Sequence, residues 1–201
     1  MIPPGVANYP NTGTLDFKPL PYAARIAKAR ALMTAAGYGP QHHMHLNYLT
    51  STNPDQRRTA ALVQQMLSQI HIDMTIRSVE LQILYSRLQS HDFDIANAVW
   101  IADFNDASNF LDLLRTTSDN NYGNYSNPRF DALMDKAQLT VDLKARGALM
   151  QQAENTALAD YAWVPCYYQV TQDIVQPWVK GWIPNLRDFN RTRWLWIDGR
   201  P

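Results

Sequence analysis

The sequence has little of what commits a chain to an obvious chemistry. It holds one cysteine, Cys166, so no internal disulfide can form and no cysteine pair is available to a metal. That residue sits in the apolar run Trp163-Val164-Pro165-Cys166-Tyr167-Tyr168, where a thiol is expected to be buried as a small hydrophobe. Neither charge is in excess: 18 Lys and Arg balance 18 Asp and Glu. A nucleic-acid partner would require a basic face, so none is expected. No apolar run approaches the ~20 residues of a membrane-spanning helix, so no direct membrane insertion is expected either. Met1-Ile2-Pro3-Pro4-Gly5 has no basic start and no apolar stretch, and a signal peptide is not expected within this chain. The motifs G-x-S-x-G, G-x-G-x-x-G and the P-loop are missing, which leaves no elbow serine, no phosphate cradle and no expected cofactor.

What is present is an ordinary globular balance. The 201 residues are 46% hydrophobic, enough for one sizeable core or one core with an appendage. Residues 1–20 hold Pro3, Pro4, Pro10, Pro19, Gly5 and Gly13, and read as an irregular lead-in. A helix follows from Pro21, with Tyr22, Ile26, Ala29, Leu32 and Met33 at helical spacing and Gly37 beyond its end. Met44–Leu49 alternates as a strand. Asn53-Pro54 caps a second helix, with an apolar stripe from Ala60 to Ile70. Asp73–Val79 alternates as a second strand, and a helix over 80–90 turns Leu81, Leu84, Tyr85 and Leu88 inward.

Phe93 to Trp100 is apolar almost throughout and is expected to be a central strand buried on both faces, with Asn97 the exception in need of a partner. A short helix at 108–114, a polar loop at 116–127, and helices capped by Asn127 and Asp142 come next. Ala162–Val170 is expected to be a fourth strand, and Arg193–Ile197 could add another. This alternation predicts an α/β fold with a parallel or mixed sheet and helices on both faces.

Two clusters invite chemistry. His42, His43 and His45 suggest a metal, and His43 and His45 would share one strand face. Their sequence neighbours offer no carboxylate or cysteine, whereas zinc takes three or four ligands, so no metal site is expected. The second cluster is the turn Trp100-Ile101-Ala102-Asp103-Phe104-Asn105-Asp106 at the end of the apolar run. A carboxylate beside an indole suits an ammonium group, through a charge-assisted hydrogen bond and cation–π attraction on the order of 1–2 kcal/mol when desolvated. The residues alone support a second reading equally, in which Asp103 caps the turn and Trp100 fills the core. Asp103 and Asp106 could also be imagined as a hydrolytic carboxylate pair, although Asp106 precedes a helix and is placed to cap it.

The segment Trp100-Ile101-Ala102-Asp103-Phe104-x-Asp106-x-Ser108-Asn109-Phe110-Leu111 resembles a motif of the bacterial extracellular solute-binding proteins of family 5, the oligopeptide- and dipeptide-binding components of ABC importers. Ala27–Leu32 with Ala36-Gly37-Tyr38, Val63–Leu67, Val79-Glu80, His91–Asp94, Asn121–Asp131 and Val164–Tyr168 resemble further family segments in the same order. The resemblance implies a periplasmic-binding-protein-like C-terminal lobe at 21–170. Residues 1–20 would be an interlobe lead-in, and 171–201 a return segment of an N-terminal lobe not contained in this chain. It also implies a periplasmic, non-enzymatic protein whose partners are a peptide ligand and the membrane permease subunits of an importer. In the family the carboxylate at the position of Asp103 holds the peptide α-amino group. Val99, Ile101 and Ala102, beside Trp100, would offer backbone hydrogen bonds to an extended peptide. Asn97 and Tyr85 complete the expected contact set. The sequence departs from the family at Leu81, where Trp is frequent, and at Asn97, where oligopeptide binders can carry Arg. A hydrolase using Asp103 and Asp106, or a truncated fragment without function, stand as the alternatives.

Overall fold

The computed structural model describes residues 1–170, 172–185 and 189–199. Thr171, Leu186, Arg187, Asp188, Arg200 and Pro201, all in the expected return segment, lie outside the described residues. The chain forms two compact units: one holds residues 14–99 and 114–126, the other 1–13, 100–113 and 127–201.

The first unit is α/β. Strands β1 (Met44–Ser51), β2 (Ile72–Val79) and β3 (Ile95–Ala96) form a parallel sheet in the order β2-β1-β3. Helix α2 (Pro54–Ser68) packs Ala60, Val63 and Leu67 on Tyr48, Met74, Ile76 and Ile95. Helix α3 (Leu81–Gln89) packs Leu84 and Leu88 on Leu49, and so covers the opposite face. Asn53 caps α2 as its sequence requires, its Oδ1 accepting from the N–H groups of Asp55 and Gln56.

Helix α1 (Tyr22–Ala35) buries no residue, and the expected inward stripe is exposed at Tyr22 and Leu32. It is held by polar contacts instead: Arg30 Nε donates to the Gln69 carbonyl at 2.8 Å and the Tyr22 hydroxyl to Gln69 Oε1 at 3.1 Å. Gly37 ends it at φ +89, the left-handed conformation that favours glycine. On α3, Leu81 is exposed rather than inward.

Two strand expectations are corrected. The run from Phe93 to Trp100 is an edge, not the centre, and only Ile95–Ala96 is regular strand. The Asp94 carboxylate accepts from the Asn47 main-chain N–H at 2.8 Å and from Asn47 Nδ2 at 2.9 Å. A side chain thus takes a donor of β1 that a longer strand would use, and pairing begins only at Ile95. These bonds hold the Asp94 carboxyl below the ordinary carboxylate range. The central strand is β1, buried from Tyr48 to Ser51. Ala162–Val170 forms no strand: Pro165 lacks a donor, no described segment pairs with it, and Val164 and Val170 are about four-fifths exposed. Cys166, expected to be buried, is exposed.

The second unit is built on α6 (Leu143–Ala159), with α5 (Pro128–Gln138) and the short α4 (Ser108–Leu111) against it. Asp142 caps α6 and Asn127 caps α5, as expected from sequence. The strands β4 (Val179–Lys180) and β5 (Trp196–Ile197) make a separate antiparallel ribbon. Residues 1–13 lie along α6. The Glu154 carboxylate is fully buried and takes the Ile2 N–H at 3.1 Å, the Met1 nitrogen at 2.7 Å, the Tyr9 hydroxyl at 2.7 Å and Gln151 Nε2 at 2.8 Å. Burial alone would raise its pKa, but the donors outweigh burial and the net shift is downward.

Close approach also depends on Gly147, where a Cβ would meet the Asn8 carbonyl oxygen at 2.2 Å. In an exposed helix, Gly→Ala would stabilise by about 1 kcal/mol. Here the clash outweighs that gain: Gly147→Ala is expected to destabilise by ~1–3 kcal/mol and to free residues 1–13 for amide exchange, as read by denaturant melts and hydrogen exchange.

Candidate ligand-binding site

The turn at 100–106 belongs to the second unit and is organised by one buried carboxamide. Asn109, on α4, is 7% exposed. Its Oδ1 accepts the Trp100 indole Nε1–H at 2.7 Å and the Asp103 main-chain N–H at 3.4 Å. One oxygen therefore sets both the indole direction and the entry of the backbone into the turn. The α4 helix that carries it is fixed by Ala107 and Leu111, both fully buried.

Asp103 and Asp106 have opposite fates. Asp106 Oδ1 accepts the Ser108 N–H at 2.9 Å and Arg146 Nη2 at 2.9 Å, while Arg146 Nη1 holds Oδ2. Burial would raise its pKa, but Arg146 and Ser108 overcome that, so the carboxyl stays below its ordinary value and ionised. Such a group is poorly placed to serve as a general acid. Asp103 is exposed, and no described residue donates to its carboxylate. Ile101, two residues before it, is 72% exposed. Ala102 is half-buried. Among the described residues, the N–H groups of Ile101 and Ala102 have no backbone acceptor.

Val99, Asn97 and Tyr85, the other expected contacts, belong to the first unit. The Asn97 N–H donates to the Leu49 carbonyl at 2.9 Å, extending the β1–β3 pairing by one residue. Its Oδ1 is buried without a partner among the described residues, as is Thr50 Oγ1 on β1. Tyr85 meets Tyr122 edge-on with centroids 6.5 Å apart. Burial first, and the Tyr85 phenol second, raise the Tyr122 pKa.

The polar loop that holds Tyr122 is braced from within. Asn121, 6% exposed, donates to the Tyr125 carbonyl at 2.7 Å and the Arg115 carbonyl at 3.2 Å, and accepts the Tyr125 N–H at 3.0 Å. Sequence reasoning gave no role to Asn109, Asn121 or Arg146. Asn109 was visible only as a letter within the motif, and the partnership of Arg146 with Asp106 spans 40 residues.

Residues 1–122, well over half of the chain, match the family described as bacterial extracellular solute-binding proteins, family 5 Middle. The chain belongs to that family. It is 31% identical over 199 residues to the probable deoxycholate-binding periplasmic protein YgiS of Escherichia coli, covering 98% of this chain and 37% of YgiS. It is 30% identical over 173 residues to the periplasmic murein peptide-binding protein MppA of the same organism, covering 85% of this chain and 32% of MppA. The solved structure of the E. coli murein tripeptide binding protein MppA superposes with a TM-score of 0.87 at 28% identity, over 98% of this chain and 39% of that one. This family 5 chain thus spans about a third of the length of the curated relatives it matches.

The Asp106–Arg146 pair is mostly buried, with side chains 25% and 20% exposed. Arg146→Met is expected to cost about 1–3 kcal/mol, less than the ~3–5 kcal/mol typical of breaking a fully buried pair. Asp106 has a lower pKa folded than unfolded, so its contribution is present above the unfolded carboxylate value near 3.9 and is lost as pH falls through the folded one. Urea melts below about pH 5 should therefore show a shallower acid loss of stability in Arg146→Met than in the parent chain.

Proposed function

We propose that this chain is the ligand-binding portion of a periplasmic, non-enzymatic solute-binding protein that delivers peptides to the permease subunits of an ABC importer. Asp103 takes the ligand α-ammonium group. The observation that carries this reading is the contrast between the two aspartates: Asp106 is committed to Arg146, while the Asp103 carboxylate is exposed and takes no described donor. Asn109 aims the Trp100 indole and fixes the backbone of Asp103, and so prepares the turn before any ligand arrives.

Backbone N–H groups of Ile101 and Ala102 supply side-chain-independent contacts to an extended peptide, and Val99, Tyr85 and Asn97 are proposed as further ligand contacts. Such contacts suit a carrier that accepts many sequences. The domain layout goes with this reading: 21–170 is the ligand-binding lobe, 1–20 an interlobe segment, and 171–201 a return into a second lobe. The MppA relative is named for murein peptides, and the Haemophilus influenzae OppA structure, 28% identical, is a complex with the peptide RPPGFSPFR.

YgiS is named for deoxycholate, whose charge is negative. A free carboxylate at Asp103 disfavours an anion and favours an ammonium, so the peptide reading is preferred. Calorimetry with a tripeptide, its N-acetylated form and deoxycholate tests this. A charge-assisted hydrogen bond contributes about 1.5–3 kcal/mol, so acetylation and Asp103→Asn should each weaken binding by roughly 10- to 150-fold. Equal affinity for the free and acetylated peptides removes Asp103 from the amine role. Binding of deoxycholate in preference to the tripeptide overturns the peptide assignment.

A further inference from the structure

Strand β2 is the outer strand of the three-stranded sheet, and its far edge has no strand beside it among the described residues. It is long and regular for an edge: eight residues, Ile72–Val79, paired one-to-one with β1 and free of proline and bulge. Short length, proline and bulges are the usual means of keeping such an edge from pairing. The backbone bonds say which groups face outward. The Met44 N–H donates to the His71 carbonyl and the Thr52 N–H to the Val79 carbonyl, both at 3.0 Å, so the odd-numbered residues turn their main-chain groups to β1. Ile72, Met74, Ile76 and Ser78 turn theirs outward. Of these groups only the Met74 carbonyl is taken among the described residues, by Gln64 Nε2 at 2.6 Å.

The exposed face of the strand carries Asp73, Thr75 and Arg77. The two charges are opposite in sign and lie the same distance either side of Thr75. Asp73 is 51% exposed; His43 Nδ1, 3.0 Å from its Oδ1, and His45 Nδ1, 3.9 Å from its Oδ2, approach it from the β1 side. Arg77 is exposed and makes no hydrogen bond or ion pair among the described residues, although the charge of Asp94 reaches it. A two-fold contact needs a surface that is its own complement, and this strand is one.

We propose that β2 pairs antiparallel with β2 of a second copy of this chain, about a two-fold axis at Thr75. In that register Thr75 meets Thr75, Asp73 meets Arg77 of the second copy, and Arg77 meets its Asp73. Met74 lies opposite Ile76, and Ile72 opposite Ser78. Outward-facing residues thus meet only outward-facing residues, as the alternation of an antiparallel ladder requires. A shift of one residue breaks the backbone match. A shift of two keeps it but loses both ion pairs. On the other face, an open hollow of about 450 Å³ beside Met74, lined on α2 by Ala61, Gln64, Gln65 and Ser68, takes Ile76 of the second copy. The N–H of that Ile76 replaces Gln64 at the Met74 carbonyl, and the two sheets join as one. The contact uses only residues of the α/β unit and stands apart from the peptide reading.

Sedimentation equilibrium of the whole chain tests the pairing, and the expected result is a monomer–dimer equilibrium. Asp73→Arg and Arg77→Asp each set like charges opposite at both ends, so each should weaken association by about tenfold or more with an unchanged circular dichroism spectrum. Combining the two reversals restores opposite charges and should restore the dimer, which damage to the strand alone would not do. Cys166 is exposed, so cross-linking is read in a Cys166→Ser background. There Thr75→Cys should link to its own copy under mild oxidation, because opposite residues at a non-hydrogen-bonded position have Cα atoms about 4.5 Å apart, within disulfide reach. Ser78→Cys should not. A chain that stays monomeric, single reversals that leave a dimer intact, a folded double reversal that stays monomeric, or cross-linking in Ser78→Cys in place of Thr75→Cys would each overturn the pairing.

Discussion

The candidate site rests on a single acceptor, the carboxamide oxygen of Asn109. A buried amide oxygen left unpaired costs about 1–3 kcal/mol, and this one is satisfied by the Trp100 indole and the Asp103 N–H. The two donors come from either end of a four-residue stretch, so the bond pattern fixes the path of the chain between them. Ala107 and Leu111 anchor the helix from which Asn109 projects, and α6 gives that helix its floor. The order of cause runs from packing of α4 on α6, to the position of one amide, to the presentation of one aspartate.

Asp103 and Asp106 show how environment divides two identical side chains. Arg146 and the Ser108 N–H take Asp106 as a structural counter-charge. Asp103, three residues earlier, keeps its carboxylate in solvent. Nothing in residue type distinguishes them; the difference lies in what a helix 40 residues away places opposite each one.

Local signals in the sequence carried much of the fold. Asn53-Pro54, Asn127-Pro128 and Asp142 mark helix starts because a side-chain oxygen acts within three residues, and each caps as expected. Gly37 marks a helix end for an equally local reason. What failed was non-local. The apolar run 93–100 has the composition of a central strand, yet an aspartate at its start takes the Asn47 donor and β1 occupies the centre. Ala162–Val170 and Cys166 read as buried, but apolar composition cannot say whether a neighbour is there to bury it. The carboxylate beside the histidines was hidden in the same way: Asp73 is 28 residues from His45 in sequence, and only the register between strands brings them together. In the site, the family motif pointed to Trp100 and Asp103, while their dependence on Asn109 required the third dimension.

The chain passes between its two compact units four times, near residues 13, 99, 113 and 126. This threading has a consequence for how the protein is made. The α/β unit has most of its residues, 14–99, in one continuous stretch and can assemble its three-stranded sheet early in synthesis. The other unit cannot. Ile2 is bonded to Glu154, 152 positions away, so the residues around Ile2 must wait for α6 before their donors are satisfied. Closing a loop of that size costs only a few kcal/mol more than closing a short one, but it comes late and slows folding. During that interval Ile2 and Val6, destined for burial, stay open to solvent and to other chains. A segment of this kind gains from being held unfolded until α6 has been made.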